Sequence, residues 1–387
     1  MRYIDSIFGH LLKPIVRRRF DGVVDSHSGN AYDKAFDSWD HLVVLIYAQL
    51  SGIGGLRGLE AVWNANSHHH YHLGVGEMKR STLSDANRRR PLAVFTETFS
   101  MLSSLADRMV KREGKEVVRL IDSSPVPLGQ LVKWAKWNGR IRGLKLHVVY
   151  DPVSDNPVDI AITHANVNDV AIGEQVRVEA GHTYVFDKAY CKYQWWTGIH
   201  DEGAVFVTRQ KASARFRAVR WLPLRKRKGD GFTVIDDAEV RLVSKGDSKL
   251  VIPMRRIRVR RNEGAKITLL TNDFKRSAVD IAALYKKRWH IELLFRWIKQ
   301  HLKIRSFLGR SDNAIRLQIV AAMIAYVLLR IAARENRIAM PIIRFADLLK
   351  ERLFTRRTID QIDKPPPVNP SKPRLRFSPD QLELGYA

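Results

Sequence analysis

Cysteine is almost missing: Cys191 is the only one in 387 residues, which rules out an intramolecular disulfide and a thiolate metal cluster. Long apolar runs are missing too. The longest, Ile319–Leu329, is 11 residues closed by Gln318 and Arg330, well short of the roughly 20 that span a bilayer. Asp5, His10 and Lys13 interrupt the N-terminus, so no secretory core forms there. No internal repeat stands out. These absences fit a reducing interior and predict a cytoplasmic, nucleoid-associated protein with no membrane partner. Acidic residues are scarce relative to basic ones, 40 Asp and Glu against 66 Lys and Arg, a net charge of +26. A compact chain with that excess repels itself, and a polyanion relieves the repulsion. Nucleic acid is the first candidate; a basic protein without such a partner is the plainer alternative. The 45% hydrophobic fraction excludes wholesale disorder, and the length allows two or three domains.

What is present falls into successive regions. Residues 1 to about 110 read as helical, with amphipathic segments at Trp39–Leu50 and Pro91–Met109. Between them, Ser81 or Thr82 reads as an N-cap that sets Arg88, Arg89 and Arg90 on the following turns. The rhythm then turns strand-like at Val117–Ile121, Leu144–Tyr150 and Val158–Thr163. A helix over roughly Asp169–Ala180, a strand at Thr183–Phe186, a helix at Lys192–His200 and a strand at Ala204–Thr208 follow. That order is of a mixed α/β sheet. From Arg209 to Arg261, 17 Lys or Arg stand against 5 Asp or Glu, with apolar residues at strand spacing, as expected of a basic β-rich insertion. A helix capped by Ser277 is expected over about Ala278–Lys303, more helices to about Leu353, and an extended proline-rich tail after it.

Tyr285, Arg288, Glu292, Arg296 and Lys299 fall within an arc of about 80° at about 100° per residue. The opposite face, Leu284, Ile291, Leu293, Leu294, Phe295, Trp297, Ile298 and Leu302, reads as core. One acid among several bases and a phenol suits a phosphodiester enzyme, the acid for metal and the rest for phosphates. By itself, Glu292 between Arg288 and Arg296 reads first as an ordinary solvated ion-pair ladder, and only partners elsewhere displace that reading. Asp122 and Asp187 each follow an apolar strand, where either could be a simple turn residue. Taken together, the three carboxylates offer hard oxygen ligands for Mg²⁺ or Mn²⁺. Lys145 and His147 share a strand face near Asp122, and could approach DNA or line the sheet. The imidazoles of His68–His72 lack acidic partners and read as a solvated turn rather than a metal site.

The spacing Tyr285, two residues, Arg288, three residues, Glu292, six residues, Lys299 resembles the Tyr-Arg-Glu-Lys signature of one branch of bacterial insertion-sequence DDE transposases. Leu120-Ile-Asp122-Ser-Ser is similar to that family's first acidic motif. Asp187-Lys-Ala-Tyr190 is similar to its second, with Lys188 and Ala189 in place of the usual Arg and Gly. Gly143–His147, Ala165–Asp169, Trp39–Gly52 and Ser81–Asn87 also look like family segments, so the resemblance covers about residues 30–330. It implies a ribonuclease-H-like catalytic core interrupted by a β-rich insertion, with an α-helical N-terminal DNA-binding domain. The expected divisions are 1–110 for that domain, 111–208 for the first part of the core, 209–270 for the insertion, 271–355 for the second part with the glutamate helix, and 356–387 for the tail. Some relatives carry a tryptophan that receives an unstacked base four residues before the threonine of a Leu-Leu-Thr segment. Leu269-Leu-Thr271 has Ile267 there, so such capture must use another side chain or be absent.

The resemblance further implies Asp122, Asp187 and Glu292 as catalytic ligands of two Mg²⁺ or Mn²⁺ ions. Tyr285, Arg288, Arg296, Lys299, Lys145, His147 and Arg88–Arg90 are expected on the DNA. The substrates would be the element's terminal inverted repeats and a target duplex, held by a homodimer in the synaptic complex. A catalytically inactive transposase-derived DNA-binding regulator and a nuclease that cuts without joining are the competing expectations.

Overall fold

A computed structural model describes residues 5–31, 35–110, 116–129, 132–243, 250–262, 264–301 and 307–364. Among the described residues seven α-helices come first: α1 (Ile7–Leu12), α2 (Arg17–Ser26), α3 (Ser38–Ser51), α4 (Leu56–Ala65), α5 (His70–Leu73), α6 (Arg80–Arg89) and α7 (Leu92–Arg108). The start of α3 is fixed by a reciprocal box, in which Asp37 accepts from the Asp40 N–H and Asp40 from the Asp37 N–H. Its end is fixed by Gly52 at φ 72°, a conformation that glycine adopts without steric cost. The expected cap at Ser81 or Thr82 is wrong: both lie inside α6, whose N-cap position is Lys79. Arg88 and Arg89 therefore close that helix rather than extend along a later one.

Ten strands then build one sheet: β1 (Val118–Pro127), β2 (Gly143–Asp151), β3 (Asn156–His164), β4 (Thr183–Phe186), β5 (Val205–Arg209), β6 (Phe216–Trp221), β7 (Lys228–Gly229), β8 (Phe232–Leu242), β9 (Met254–Arg261) and β10 (Lys266–Thr271). Their order is β3-β2-β1-β4-β5-β10-β9-β8-β6, with β7 on β8. β1 pairs antiparallel with β2 and parallel with β4, and β4 parallel with β5. The strongly basic segment thus extends the same sheet through the antiparallel pairing of β10 with β5. Between the strands lie α8 (Asp169–Gly173), much shorter than the helix expected to Ala180, and α9 (Tyr193–Asp201).

The C-terminal part carries α10 (Ala278–Lys287), α11 (Trp289–His301), α12 (Asp312–Glu335) and α13 (Ile342–Lys350). Ser277 caps α10 by accepting from the Asp280 N–H. The single long helix read from the sequence is interrupted at Arg288, where Arg288 N–H bonds Tyr285 O and Ile291 N–H bonds Arg288 O. These three-residue steps tighten the turn. The predicted end near Lys303 and the side chain of Leu302 lie outside the described residues, as does the tail from residue 365. Among the described residues α12 is the one single helix long and apolar enough to cross a membrane, yet most of it is buried in the fold. It packs against α3, α6, α7 and α13, so residues from Ile7 to Ile362 share one core. A second core lies on the opposite sheet face around Phe186, Trp196 and Phe206.

Candidate active site

The acid-bearing strands decide the geometry. Ile121 and Phe186 are partners in the parallel register of β1 and β4, so the next residues, Asp122 and Asp187, run side by side. Strand alternation turns both away from the second core, which holds Ile121 and Phe186, toward the face that α11 covers. Asp122 is not a strand-end residue as expected. β1 continues to Pro127 on β2, and only the parallel neighbour stops there.

Helices α10 and α11 supply the rest. Arg288 donates from Nη1 to Asp122 Oδ2 at 3.1 Å and from Nη2 to Glu292 Oε1 at 2.6 Å. Tyr285 donates its phenol O–H to Asp187 Oδ1 at 3.3 Å, and the Arg288 guanidinium sits 5.7 Å from its ring centre. The three carboxylates read from the sequence therefore gather around one arginine and one tyrosine. Asp122 is only 19% exposed, and burial pushes its carboxyl up to about 6. The Ser123 N–H and Arg288 oppose that rise, whereas Asp187 and Glu292 add to it. Burial likewise lifts Tyr285 to about 12. Arg288 stays above its ordinary value: burial works against its charge, but Tyr285, Asp122 and Glu292 more than offset it. Lys299 is exposed on α11; burial lowers its amine and the charge of Asp122 opposes that. Arg296 is exposed as well, over the ring of the exposed Trp289. Leu293, expected in the core, is exposed beside them: at about 100° per residue it falls nearer Arg296 than the buried Ile291 and Ile298.

Among the described residues no three His, Cys, Asp or Glu side chains stand as a ready metal cage, since Arg288 bridges Asp122 and Glu292. The donor set fits hard divalent cations all the same. All three groups are carboxylates, and the crowding that raises Asp122 is what a cation relieves.

Three of the expected DNA contacts need correcting. Ser123 pairs with His147 and Pro125 with Lys145, so both side chains lie on Ser123's face, opposite Asp122. Lys145 donates to Asp169 Oδ1 and to Val167 O, each at 2.8 Å. His147 is 4% exposed, bonded through Nε2 to Thr163 Oγ1 at 2.9 Å, with burial lowering its pKa to about 4. Arg90 is buried, donating to Phe36 O at 2.9 Å. Arg88 and Arg89 remain exposed, Arg88 paired with Asp85. In the histidine run, His70 stacks on Trp63 and His69 on Phe354.

A group that the sequence left without a role lies behind Asp122. Ser123 Oγ donates to Asp169 Oδ1 at 2.8 Å, and the Ser123 N–H donates to Asp122 Oδ1 at 2.8 Å. Tyr190, three residues after Asp187, is buried beside Ser123 and Asp169, and burial raises its phenol. The resemblance of Ala165–Asp169 to a family segment was the available signal; its partners were not readable.

A family model described as a transposase DDE domain matches residues 113–328, and a domain of unknown function, DUF4372, matches residues 4–76. A Sinorhizobium fredii protein named as a transposase, y4zB, is 63% identical over 304 residues, 79% of this chain and 85% of that one. A Geobacillus stearothermophilus protein, named as a transposase for insertion sequence element IS5377, is 30% identical over 260 residues, 66% of this chain and 68% of its own. The piggyBac transposase synaptic complex with hairpin DNA superposes with a TM-score of 0.48 at 8% identity, over 95% of this chain and 84% of that chain. The chain belongs to the DDE transposase family, whose members cut DNA and join the cut strands to new sites.

Proposed function

We propose that Asp122, Asp187 and Glu292 are the catalytic carboxylates of a cut-and-paste insertion-sequence transposase of the Tyr-Arg-Glu-Lys branch, working with Mg²⁺ or Mn²⁺, two ions per site. The observation that carries this reading is the register of Ile121 with Phe186, which sets two carboxylates side by side, joined to Glu292 through Arg288. When bound, the cations supply activation of the attacking oxygen and stabilisation of the leaving one. The chain's own residues do the rest. Arg288 and Lys299 bring fixed positive charge to a phosphate in line with the attacking group, and Tyr285 offers its phenol O–H. Hydrolysis at an element end frees a 3′-hydroxyl, and that hydroxyl then attacks a target phosphodiester, forming a new P–O bond as the target strand's own 3′-oxygen leaves and takes up the proton. The order β3-β2-β1-β4-β5, three antiparallel strands and then two parallel ones, supports a ribonuclease-H-like core.

The exposed arginines Arg88, Arg89 and Arg296, with the basic strands β6 to β9, hold the terminal inverted repeats mainly through phosphates. Two ends are cut together, so the working unit is a homodimer. The test uses a supercoiled plasmid carrying the gene with its flanking repeats. Asp122→Asn should bind those repeats as the unaltered protein does and lose nicking; a variant that nicks at the normal rate overturns the assignment.

A further inference from the structure

Between Asp122 and Asp151 the chain holds five Lys or Arg and no acidic residue. The segment Lys133–Arg142 folds there into a hairpin closed by the bridge of Trp137 with Arg142. Asn138 N–H donates to Ile141 O at 3.1 Å, and Asn138 Oδ1 accepts from the Arg140 and Ile141 N–H groups at 3.0 and 2.9 Å. Gly139 takes φ 91°. Arg142 Nη1 donates to the carbonyls of Lys133 and Ala135, both at 3.0 Å, and Trp134 Nε1 anchors the base to Arg310 O at 2.8 Å. These bonds hold up a tip on which Lys136, Trp137 and Arg140 are exposed. Trp137 is 57% exposed, in the range of Trp221 at 59% and Trp289 at 50%, whereas Trp63 and Trp196 are fully buried. An indole flanked by exposed cations on one turn is the combination that stacks on nucleotides while gripping the backbone.

We infer that this hairpin is a DNA-contacting finger that rests on the duplex beside the cut, with Trp137 packed on a base or sugar face and Lys136 and Arg140 on phosphates. Charge selects the partner, since the tip is cationic without a compensating acid. Its place follows from the strand. Pro127, where β1 ends and the connection to the finger begins, lies five residues past Asp122, or about 17 Å at the usual rise. The finger therefore rises from the end of the strand that carries Asp122, on the DNA flanking the cut. The inference rests on the site proposed above, because the strand that leads to the finger is the one that carries Asp122.

The test compares Trp137→Ala and the double variant Lys136→Ala with Arg140→Ala against the unaltered protein, on a duplex carrying the flanking inverted repeat. Trp137→Ala should weaken binding roughly tenfold. The double variant should lower the slope of log affinity against log salt by about two. Both should melt at the normal temperature. In hydroxyl-radical footprints both should lose protection in the duplex beside the cut. Unchanged affinity, salt slope and footprint overturn the finger, as does a changed oligomeric state with unchanged DNA affinity, which would make the tip a protein contact. Asp122→Asn run in parallel keeps the two readings apart: loss of cutting there with normal DNA binding by the finger variants refutes the finger alone, whereas cutting by Asp122→Asn refutes the site.

Discussion

Asp169 holds the back of the first acidic motif, accepting from Ser123 and Lys145 on the sheet face opposite Asp122. Groups that orient a ligand from behind typically matter 10- to 100-fold in metal affinity or rate. Asp169→Asn should therefore keep the fold and DNA binding, and slow single-turnover cleavage by about that factor while raising the Mn²⁺ concentration needed. Normal kinetics and metal demand in a folded variant would show that this network is only structural. A second residue-scale effect concerns acid. His41 is fully buried against Asn87, and burial lowers its pKa to about 3, with Arg90 also pressing it down. The unfolded chain takes up that proton near pH 6.5, the folded one only near 3. The stabilisation is thus complete above about 6.5 and is lost as pH falls toward 3, by up to about 1.4 kcal/mol per pH unit. His41→Gln should flatten the decline of melting temperature between pH 6.5 and 4; an unchanged profile would refute it. The carboxylates of the site were legible because strand and helix patterns bracket them. The burial of Lys145, His147 and Arg90 was not, since facing depends on pairing register and neighbouring loops that no local pattern encodes.

Elements were read well where periodicity is strong, as in Thr183–Phe186, and poorly where a tertiary contact breaks it. Arg288 sits at the break in the glutamate helix, and its guanidinium serves Asp122 and Glu292 at once; a helical wheel contains no such partner. The basic strands were foreseen, but their continuity with the core sheet was not. One buried pair ties them in: Arg255 grips Asp237 through two bonds of 2.8 and 2.6 Å, and donates to the carbonyls of Asp273 and Arg276 just before α10. Removing one partner leaves a buried charge unpaired, at a cost of about 3–5 kcal/mol. Asp237→Ala should show that loss in chemical denaturation, and a loss under about 1 kcal/mol would mean that the pair is effectively solvated. Gly143 is a second constraint at this scale, because a Cβ there would meet Val126 O at 2.2 Å, where β1 and β2 approach below the finger.

At the scale of the molecule, α12 makes the helical N-terminal part and the sheet interdependent, since both cover it. Composition hinted at this only through the apolar density of Ile319–Leu329, which reads alike for any buried helix. A chain lacking residues 1–110 should expose that helix and aggregate; a soluble, cooperatively melting fragment would show separable domains. The charge of +26 acts on the same scale, and predicts DNA affinity that falls steeply with salt. The most direct measurement is anomalous scattering from Mn²⁺ in crystals of the protein with its end DNA. The account predicts Mn²⁺ bounded by Asp122, Asp187 and Glu292 in the unaltered protein and depleted in Asp122→Asn. Mn²⁺ bound elsewhere while the DNA is cut, or bound equally in the variant, would contradict it.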